Sequence, residues 1–254
     1  MLHDILLFLT GIVVGAMNAI AGGGMLIGFP VLLAVGLSPL TANATNYIVV
    51  LPGQLAAILG YRKYLRRVPR SYLLLIIPCV IGGAIGSYGL KHTSPGRFAD
   101  LVPGLLLAAL VLFAVQPLLH FQLTRHLRGK AKTSLPLLLI GLALLPISVY
   151  GGYFGIGFGF VILAFLGFTK LRDHIHRSNA LKNIAALSIA LVAVFSLANS
   201  GLIDWQHGIV MGIGCAIGGF GGARLVQRVP SHLIRVFVLV VGITAVIYLA
   251  LRTY

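Results

Sequence analysis

Long apolar stretches separated by short polar segments run through the whole chain. Ten stretches can be marked, and they fall into two groups of five. The first group covers residues 5–20, 25–37, 42–60, 71–90 and 98–121, and the second covers residues 135–150, 154–169, 180–198, 205–223 and 233–251. A helix needs about 20 apolar residues to cross a bilayer. The pattern therefore predicts an all-α membrane protein, a polytopic helical bundle of about 8–10 membrane segments.

The first two stretches of each group are short, at 13 to 16 residues. At 1.5 Å per residue they reach about 20–24 Å, which is less than the roughly 30 Å of hydrocarbon. A glycine-rich turn separates the two members of each pair, at Gly22-Gly23-Gly24 and at Gly151-Gly152-Tyr153-Phe154-Gly155-Ile156-Gly157. We predict that each pair is either two tilted short spans or a broken hairpin that enters and leaves on one side.

The two groups of stretches also resemble each other in sequence. A shift of 136 residues aligns Asn43-Ala44 with Asn179-Ala180 and Cys79 with Cys215, and a shift of 133 aligns the two glycine turns. We interpret this as an internal duplication, which is common in transporters. The predicted division is a first membrane repeat at residues 1–121, a basic cytoplasmic linker at 122–134 and a second membrane repeat at 135–254.

Charged residues are scarce and mostly basic. They make up 9% of the chain, against about 25% in soluble proteins, and 19 Lys and Arg accompany four Asp and no Glu. The basic residues cluster at 62–70, 125–132, 170–182 and 224–235, and the positive-inside rule places these loops in the cytoplasm. Equivalent loops then lie on opposite sides, so we predict inverted repeats in a bacterial inner membrane. This placement argues against nucleic-acid binding and makes the lipid bilayer the expected partner.

Two features favour a small anionic substrate. A helix that begins after a glycine turn has unpaired amides and the positive end of a dipole, which attract a negative ligand. Polar side chains inside membrane helices are costly unless they are partnered or functional. The predicted substrate-binding residues are Asn18, Gly22, Gly23, Gly24, Asn43, Thr45, Asn46, Gln54, Gly155, Gly157, Asn179, Lys182 and Asn183.

Plainer interpretations of several of these residues stay open. The glycines are also consistent with close helix packing, Asn43 and Asn179 with helix N-caps, and Lys182 with an amine that extends to the cytoplasmic interface. The aspartates and histidines all lie near segment ends or in loops, which argues against a cation carrier. The chain also lacks metal-spaced His or Cys clusters and a Gly-Lys-Ser phosphate loop. We therefore expect no cofactor, no metal and no enzyme activity.

Several motifs together resemble the TauE/SafE family of sulfite exporters. The first half contributes Gly15-Ala16-Met17-Asn18-Ala19-Ile20-Ala21-Gly22-Gly23-Gly24 leading to Pro30, and Ala42-Asn43-Ala44-Thr45-Asn46. The second half contributes the 151–157 turn, Gly201-Leu202-Ile203-Asp204-Trp205 and Gly218-Gly219-Phe220-Gly221-Gly222-Ala223-Arg224-Leu225. The resemblance extends over nearly the whole chain. It implies a multi-pass helical fold and export of sulfite, sulfoacetate or related sulfur-containing anions.

We therefore predict a secondary transporter that exports a small sulfur-containing anion by alternating access between the repeats. Expelling one negative charge gains about 2.3 kcal/mol per 100 mV, so the membrane potential is a sufficient driving force. Proton coupling through His174 or His176 stays open. The alternatives are an anion channel, an importer of the same anions and, less favoured, a membrane-embedded enzyme. The sequence does not indicate an oligomeric state.

Overall fold

The protein is a bundle of α-helices, seen in a computed structural model that describes residues 2–20, 22–127, 136–166 and 175–225, with Val240, Ile243 and Thr244. These residues contain ten α-helices and no strand. The helices are α1 (Leu2–Ile20), α2 (Met25–Ala34), α3 (Pro39–Gly60), α4 (Arg62–Leu65), α5 (Ile76–Lys91), α6 (Pro95–Leu127), α7 (Leu137–Tyr153), α8 (Phe158–Leu166), α9 (Ile175–Leu197) and α10 (Trp205–Leu225). A 3-10 helix at Arg70–Leu75 leads directly into α5. The predicted fold class, a helical membrane protein, is confirmed.

Nine of the predicted stretches coincide with helices, and the stretch at 233–251 lies outside the described residues. The stretch at 154–169 begins as a turn rather than a helix, because Gly155 and Gly157 adopt φ angles of 71° and 83°. Helix α6 continues to Leu127, beyond the predicted repeat boundary at residue 121. The start of the predicted linker is therefore helical, while the division into two repeats stays a prediction.

Within the described residues, the second helix of each short pair is too short to span a membrane. Helix α2 has 10 residues and the described part of α8 has 9, so they reach about 15 and 13 Å, no more than half of the hydrocarbon thickness of about 30 Å. In the described part of the chain, three helices are long and apolar enough to cross: His3–Ile20, Arg70–Lys91 and His176–Leu197. Helix α1 is thus long enough to cross the bilayer alone, whereas α2 is not, and the choice between a hairpin and two spans stays a prediction.

The bundle carries its apolar side chains outside and many polar ones inside. Phe195 is 89% exposed and Leu138 is 74% exposed, whereas Asn46, Lys182 and Asn183 are fully buried. A soluble protein rarely exposes large apolar patches or buries a lysine. This distribution fits a protein whose surroundings are lipid.

Glycines allow helices from the two halves of the chain to touch. Gly218 in α10 lies against the backbone of Ile12 in α1, and Gly82 in α5 lies against the backbone of Leu145 in α7, so a Cβ atom at either glycine would overlap its neighbour. Small residues give membrane helices this close approach. As a result, each half packs one of its helices against the other half.

These two contacts are equivalent in the sequence. Gly82 and Gly218 are related by the shift of 136, and Ile12 and Leu145 by the shift of 133. The same two shifts relate a neighbouring pair of contacts, Gly86 with Val149 and Gly222 with Ala16. The recurrence supports the internal duplication. That the two repeats are inverted in the membrane stays a prediction.

Basic residues from three parts of the chain gather at one end of the bundle. Tyr61, at the end of α3, contacts His176 near the start of α9, and Gly60 contacts Ala223 near the end of α10. Arg62 follows α3 directly. The positive-inside rule assigns this end to the cytoplasm.

Candidate functional site

The two glycine turns meet at the interface between the halves. A Cβ atom on Gly22 would lie 2.7 Å from the Cα of Gly159, so the two backbones are in direct contact. Gly22 and Gly155, which are equivalent under the shift of 133, have φ angles of 91° and 71°. Glycine adopts this region at little cost, whereas side chains with a Cβ atom resist it. Both breaks therefore need glycine at the same relative position.

A small cavity lies beside this contact. Its volume is about 20 Å³, which is room for about one water molecule. Its wall includes Val50 from the middle of α3 and Ala186 from the middle of α9, the two helices that run past both turns. Five of the predicted site residues line it: Asn18, Gly22, Gln54, Gly155 and Lys182. The cavity must widen before it can hold an oxyanion.

Most of the cavity wall is made of equivalent residues from the two halves. The pairs are Asn18 with Gly151, Gly22 with Gly155, Met25 with Phe158, Val50 with Ala186, and Gln54 with Ala190. The pairs match in position but differ in chemistry, because both amides come from the first half. The cavity therefore lies between the two halves, with both amides contributed by the first half and Lys182 by the second.

Lys182 is the only Lys, Arg or His side chain that lines this cavity among the described residues. Its side chain is fully buried, and its Nζ donates to the backbone oxygens of Asn18 at 2.6 Å and Ala19 at 3.4 Å. Helix α9 begins at Ile175, five residues before the predicted stretch, so Lys182 lies two turns inside the helix. The interpretation of Lys182 as a residue whose amine reaches the interface is wrong.

No carboxylate compensates this ammonium in the part of the chain that the structure describes. A buried cation is costly without a partner. The two carbonyls lie at the end of α1, where the helix dipole is negative, and they offset part of that cost. A negative ligand in the cavity would supply the missing charge.

Several buried amides near the cavity have unused hydrogen-bonding atoms. The Oδ1 of Asn18 accepts from the Gly24 amide at 2.9 Å, which leaves its Nδ2 without a partner. The Oε1 of Gln54 and both polar atoms of Asn183 are also unpartnered. Buried polar groups are nearly always satisfied in proteins. Unused donors beside a buried ammonium indicate a site for a polar ligand. The hydrogen bond to Asn18 also means that the Gly24 amide, which was predicted to face the substrate, already has a partner within the protein.

Two predicted site residues in α3 hold the fold together instead of lining the cavity. Asn43 donates to the backbone oxygen of Tyr153 at 2.9 Å, and Asn46 donates to that of Met25 at 3.1 Å. Both bonds therefore tie α3 to the broken turns. Helix α3 has Ser38 as its N-cap, so the interpretation of Asn43 as a cap is wrong.

Thr45 and the remaining predicted residues also lie outside the cavity wall. Thr45 accepts a hydrogen bond from the backbone amide of Asp204 at 2.9 Å, just before α10. Asn179 lies inside α9 and is not its N-cap. The predicted residues that do not line the cavity are Gly23, Gly24, Asn43, Thr45, Asn46, Gly157, Asn179 and Asn183. Their contact with a substrate stays a prediction.

The sequence reasoning missed two tyrosines. Tyr47 lines the cavity and donates from Oη to the backbone oxygen of Gly151 at 2.8 Å. Tyr61 is fully buried, and its Oη donates to the oxygen of Ala19 at 3.3 Å. The signal was a hydroxyl inside or at the end of an apolar helix. It was overlooked because tyrosine also serves as an ordinary apolar residue in membrane helices.

The N-terminal end of α10 is capped by a titratable side chain, that of Asp204. Asp204 accepts from the backbone amide of His207 at 3.0 Å, and the two side chains approach to 2.9 Å. Burial raises the pKa of Asp204, but the hydrogen bonds and charge of His207 outweigh it and leave the pKa below its ordinary value. In the described ranges, no group of three or more His, Cys, Asp or Glu could hold a metal ion.

The chain is similar to known membrane proteins over most of its length. The family described as sulfite exporter TauE/SafE matches residues 7–249. A probable membrane transporter protein of Haemophilus influenzae is 30% identical over 244 residues, covering 93% of this chain and 90% of the relative. The probable membrane transporter protein YfcA of Escherichia coli is 27% identical over 242 residues, covering 93% and 85%. No solved structure matches.

Proposed function

The chain belongs to the sulfite exporter TauE/SafE family, and on that premise we propose that it exports a small sulfur-containing anion, either sulfite or an organosulfonate such as sulfoacetate. Its relatives are named probable membrane transporter proteins, which supports transport rather than catalysis as the activity. A bacterial inner membrane is the location that suits this function.

The observation that carries the proposal is the buried ammonium of Lys182 at the meeting point of the two glycine turns. Sulfite and sulfonates present several negative oxygens in a small volume. One oxygen can accept from Lys182 and another from the free Nδ2 of Asn18. Hydrogen bonds between charged groups are about twice as strong as neutral ones. The site therefore matches a compact oxyanion in both charge and donors.

The size of the cavity supports a carrier. At about 20 Å³ it is too small for an oxyanion, so the described conformation is closed and the substrate must be admitted by movement. Two equivalent broken elements that touch at Gly22 and Gly159 provide parts that can exchange positions. With a negative cell interior, export of one negative charge gains about 2.3 kcal/mol per 100 mV, roughly a fiftyfold gradient.

Flux measurements in proteoliposomes test the proposal. Sulfite, sulfoacetate, taurine, thiosulfate and sulfate would be offered separately, with a potential imposed by a potassium gradient and valinomycin. We expect saturable flux of sulfite or sulfoacetate that is faster when the potential drives anions outward from the cytoplasmic face. A preference for neutral or cationic solutes would sink the proposal. Conductance far above carrier rates would instead establish the channel alternative, and flux only in the inward direction would establish an importer.

The first prediction concerns Lys182→Gln, which removes the charge and keeps a polar side chain. A hydrogen bond to a charged group contributes about 1.5–3 kcal/mol, so we expect anion flux to fall about tenfold to a hundredfold. Lys182→Arg keeps the charge and should retain more flux. Lys91→Gln, at the exposed end of α5, is the matched control and should transport normally. Wild-type flux in a correctly folded Lys182→Gln protein would remove this residue from the site.

A further inference from the structure

A second and larger cleft opens at the basic end of the bundle. Its volume is about 340 Å³, and its mostly polar wall includes Arg62, Lys63, Tyr64, His176 and Arg224. Within the described ranges no carboxylate forms an ion pair with the three Lys and Arg side chains. The cleft thus concentrates positive charge that the described carboxylates do not neutralise.

The side chains of the cleft are held in place by ring contacts. The guanidinium of Arg224 lies 4.1 Å from the centre of the Phe220 ring. At this distance the face of the aromatic ring attracts the cation. The rings of Tyr64 and His176 stack with their centres 4.7 Å apart. Tyr61 packs against this pair, is fully buried and has its ring centre 6.3 Å from each of the other two. The floor of the cleft is therefore an aromatic cluster.

Tyr61 connects this floor to the central cavity. Its Oη donates to the backbone oxygen of Ala19, and the Nζ of Lys182 donates to the same oxygen. Tyr61 therefore contacts both the rings that line the cleft and the carbonyl that the Lys182 amine binds. A solute that moves from the cleft to the cavity along this line must displace Tyr61 and break its bond to Ala19.

We propose that the cleft is a second anion-binding site, which collects the transported oxyanion from the cytoplasm, and that Tyr61 is the gate between this site and Lys182. This rests on the proposed function. The chemistry recognised is a compact oxyanion, which either a soluble anion or a lipid headgroup could supply. Leu59 and Phe220 beside the cleft are exposed and apolar, as a lipid site would require. The aromatic floor and the shared carbonyl lead inward to Lys182, and they favour the soluble anion.

A funnel of positive charge raises the local concentration of an anion and its rate of association, and salt screens this effect. Removing charge from the cleft should therefore raise KM more than it lowers the maximal rate. Release of Tyr61 would also free the carbonyl that it shares with Lys182. Opening of the gate is thereby coupled to a change at the ammonium that receives the substrate.

Charge removal in the cleft is the first test. We expect Arg62→Gln combined with Lys63→Gln to raise the KM for sulfite flux from the cytoplasmic face about tenfold at low ionic strength, and the increase to shrink at high salt. The maximal rate should stay within about twofold, since the central site is intact. Lys91→Gln with Arg97→Gln removes the same charge from the exposed end of α5 and start of α6 and should leave KM unchanged. An unchanged KM in the cleft variant at low salt would overturn the proposal.

Tyr61→Phe tests the gate, because it removes the hydroxyl and keeps the ring. We expect the maximal rate to change at least about threefold with KM nearly constant, since the lost bond belongs to the closed conformation. Tyr88→Phe, at a tyrosine that is 64% exposed, is the control and should behave as wild type. A Tyr61→Phe protein with wild-type kinetics would contradict the assignment of Tyr61 as the gate.

Two further experiments distinguish a soluble anion from a lipid headgroup as the ligand of the cleft. They also distinguish a failure of the cleft proposal from a failure of the proposed function. Calorimetric titration of purified Lys182→Gln protein with sulfite should show weak binding. This binding should disappear when the substitutions Arg62→Gln and Lys63→Gln are introduced into the same protein. If the wild type moves no sulfur anion, the proposed function fails, while this titration still tests the cleft. If sulfite does not bind there and wild-type activity instead depends on phosphatidylglycerol in the vesicles, the cleft is a lipid site and the proposal is overturned.

Discussion

Gly22 and Gly159 leave no room for a side chain between the two halves of the chain. A Cβ atom on Gly159 would lie 2.6 Å from the Cα of Gly22, which is closer than real Cβ atoms approach. Because the obstacle is backbone rather than the end of a flexible side chain, local rearrangement cannot relieve it. The cavity therefore keeps its position only because neither Gly22 nor Gly159 carries a Cβ atom.

We accordingly predict that Gly159→Ala lowers both thermal stability and anion flux. Overpacking of a tight contact costs about 1–3 kcal/mol, and here the displaced turn also forms the substrate cavity. Gly104→Ala in α6 is the matched control, because a Cβ atom there meets nothing within 4 Å. Alanine is preferred over glycine inside a helix by up to about 1 kcal/mol, so the control should be unchanged or more stable. Melting temperature in detergent and sulfite flux are the measurements, and equal behaviour of the two variants would contradict the role of the contact.

Individual residues also show how far the sequence can predict a site. Lys182 was identifiable because a lysine in an apolar helix needs an explanation. Its partners, the oxygens of Asn18 and Ala19, were not, since any backbone oxygen looks the same in the sequence. Tyr47 and Tyr61 were missed for the same reason, because their role depends on which carbonyl lies opposite the hydroxyl.

At the level of elements, α10 is fixed at its first turn by side-chain and backbone hydrogen bonds. Asp204 accepts from the amide of His207, and its own amide donates to Thr45 in α3. A helix start has unsatisfied amides, and an acidic side chain there also favours the positive end of the dipole. The cap therefore links the beginning of α10 to α3.

This cap predicts a pH dependence of stability. Because the pKa of Asp204 is below its ordinary value of 3.8 in the folded protein, its stabilisation is present above that value and is lost as the pH falls below it. We expect Asp204→Ala to cost about 1 kcal/mol at neutral pH and to flatten the acid side of the stability curve. Asp204→Asn keeps a capping oxygen and should stay close to wild type at neutral pH. Melting temperatures between pH 3 and 7 check this, and an unaltered acid slope in both variants would contradict it.

Hydrophobic runs predicted the existence and order of the helices but not where each short one begins. Apolar content marks residues 154–169 as one stretch, yet α8 begins only at Phe158. Composition does not distinguish a turn built on Gly155 and Gly157 from a helix of equal hydropathy. The positive φ angles at these glycines decide the boundary, and such angles follow from the packing of the turn against the opposite half.

At the scale of the whole molecule, equivalent residues make equivalent contacts. The seam between α1 and α10 has its counterpart in the seam between α5 and α7, at the shifts found in the sequence. Equivalent residues also line the cavity together. If the two units lie inverted in the membrane, they can exchange conformations and open the cavity to either side at similar cost.

Inversion is tested by labelling two equivalent positions. Lys63 and Asn199 are related by the shift of 136, and both are exposed. In a protein whose two buried cysteines have been replaced, we expect Asn199→Cys to react with a membrane-impermeant maleimide added to intact cells. Lys63→Cys should react only after the cells are opened, because the positive-inside rule predicts that the basic end faces the cytoplasm. Labelling of both positions from the same side would contradict inverted repeats.

The glycine seam between α1 and α10 also has a consequence for how the protein is made. Chains emerge from the ribosome at about 5–20 residues per second, so α1 enters the membrane on the order of ten seconds or more before the helix that covers its glycine face exists. Until then that face, with Gly11 and Gly15, lies against lipid or an insertion factor. Folding therefore cannot be completed in the order in which the helices are made. Helix α1 is inserted first, yet it is among the last to contact the helix that covers its glycine face, α10.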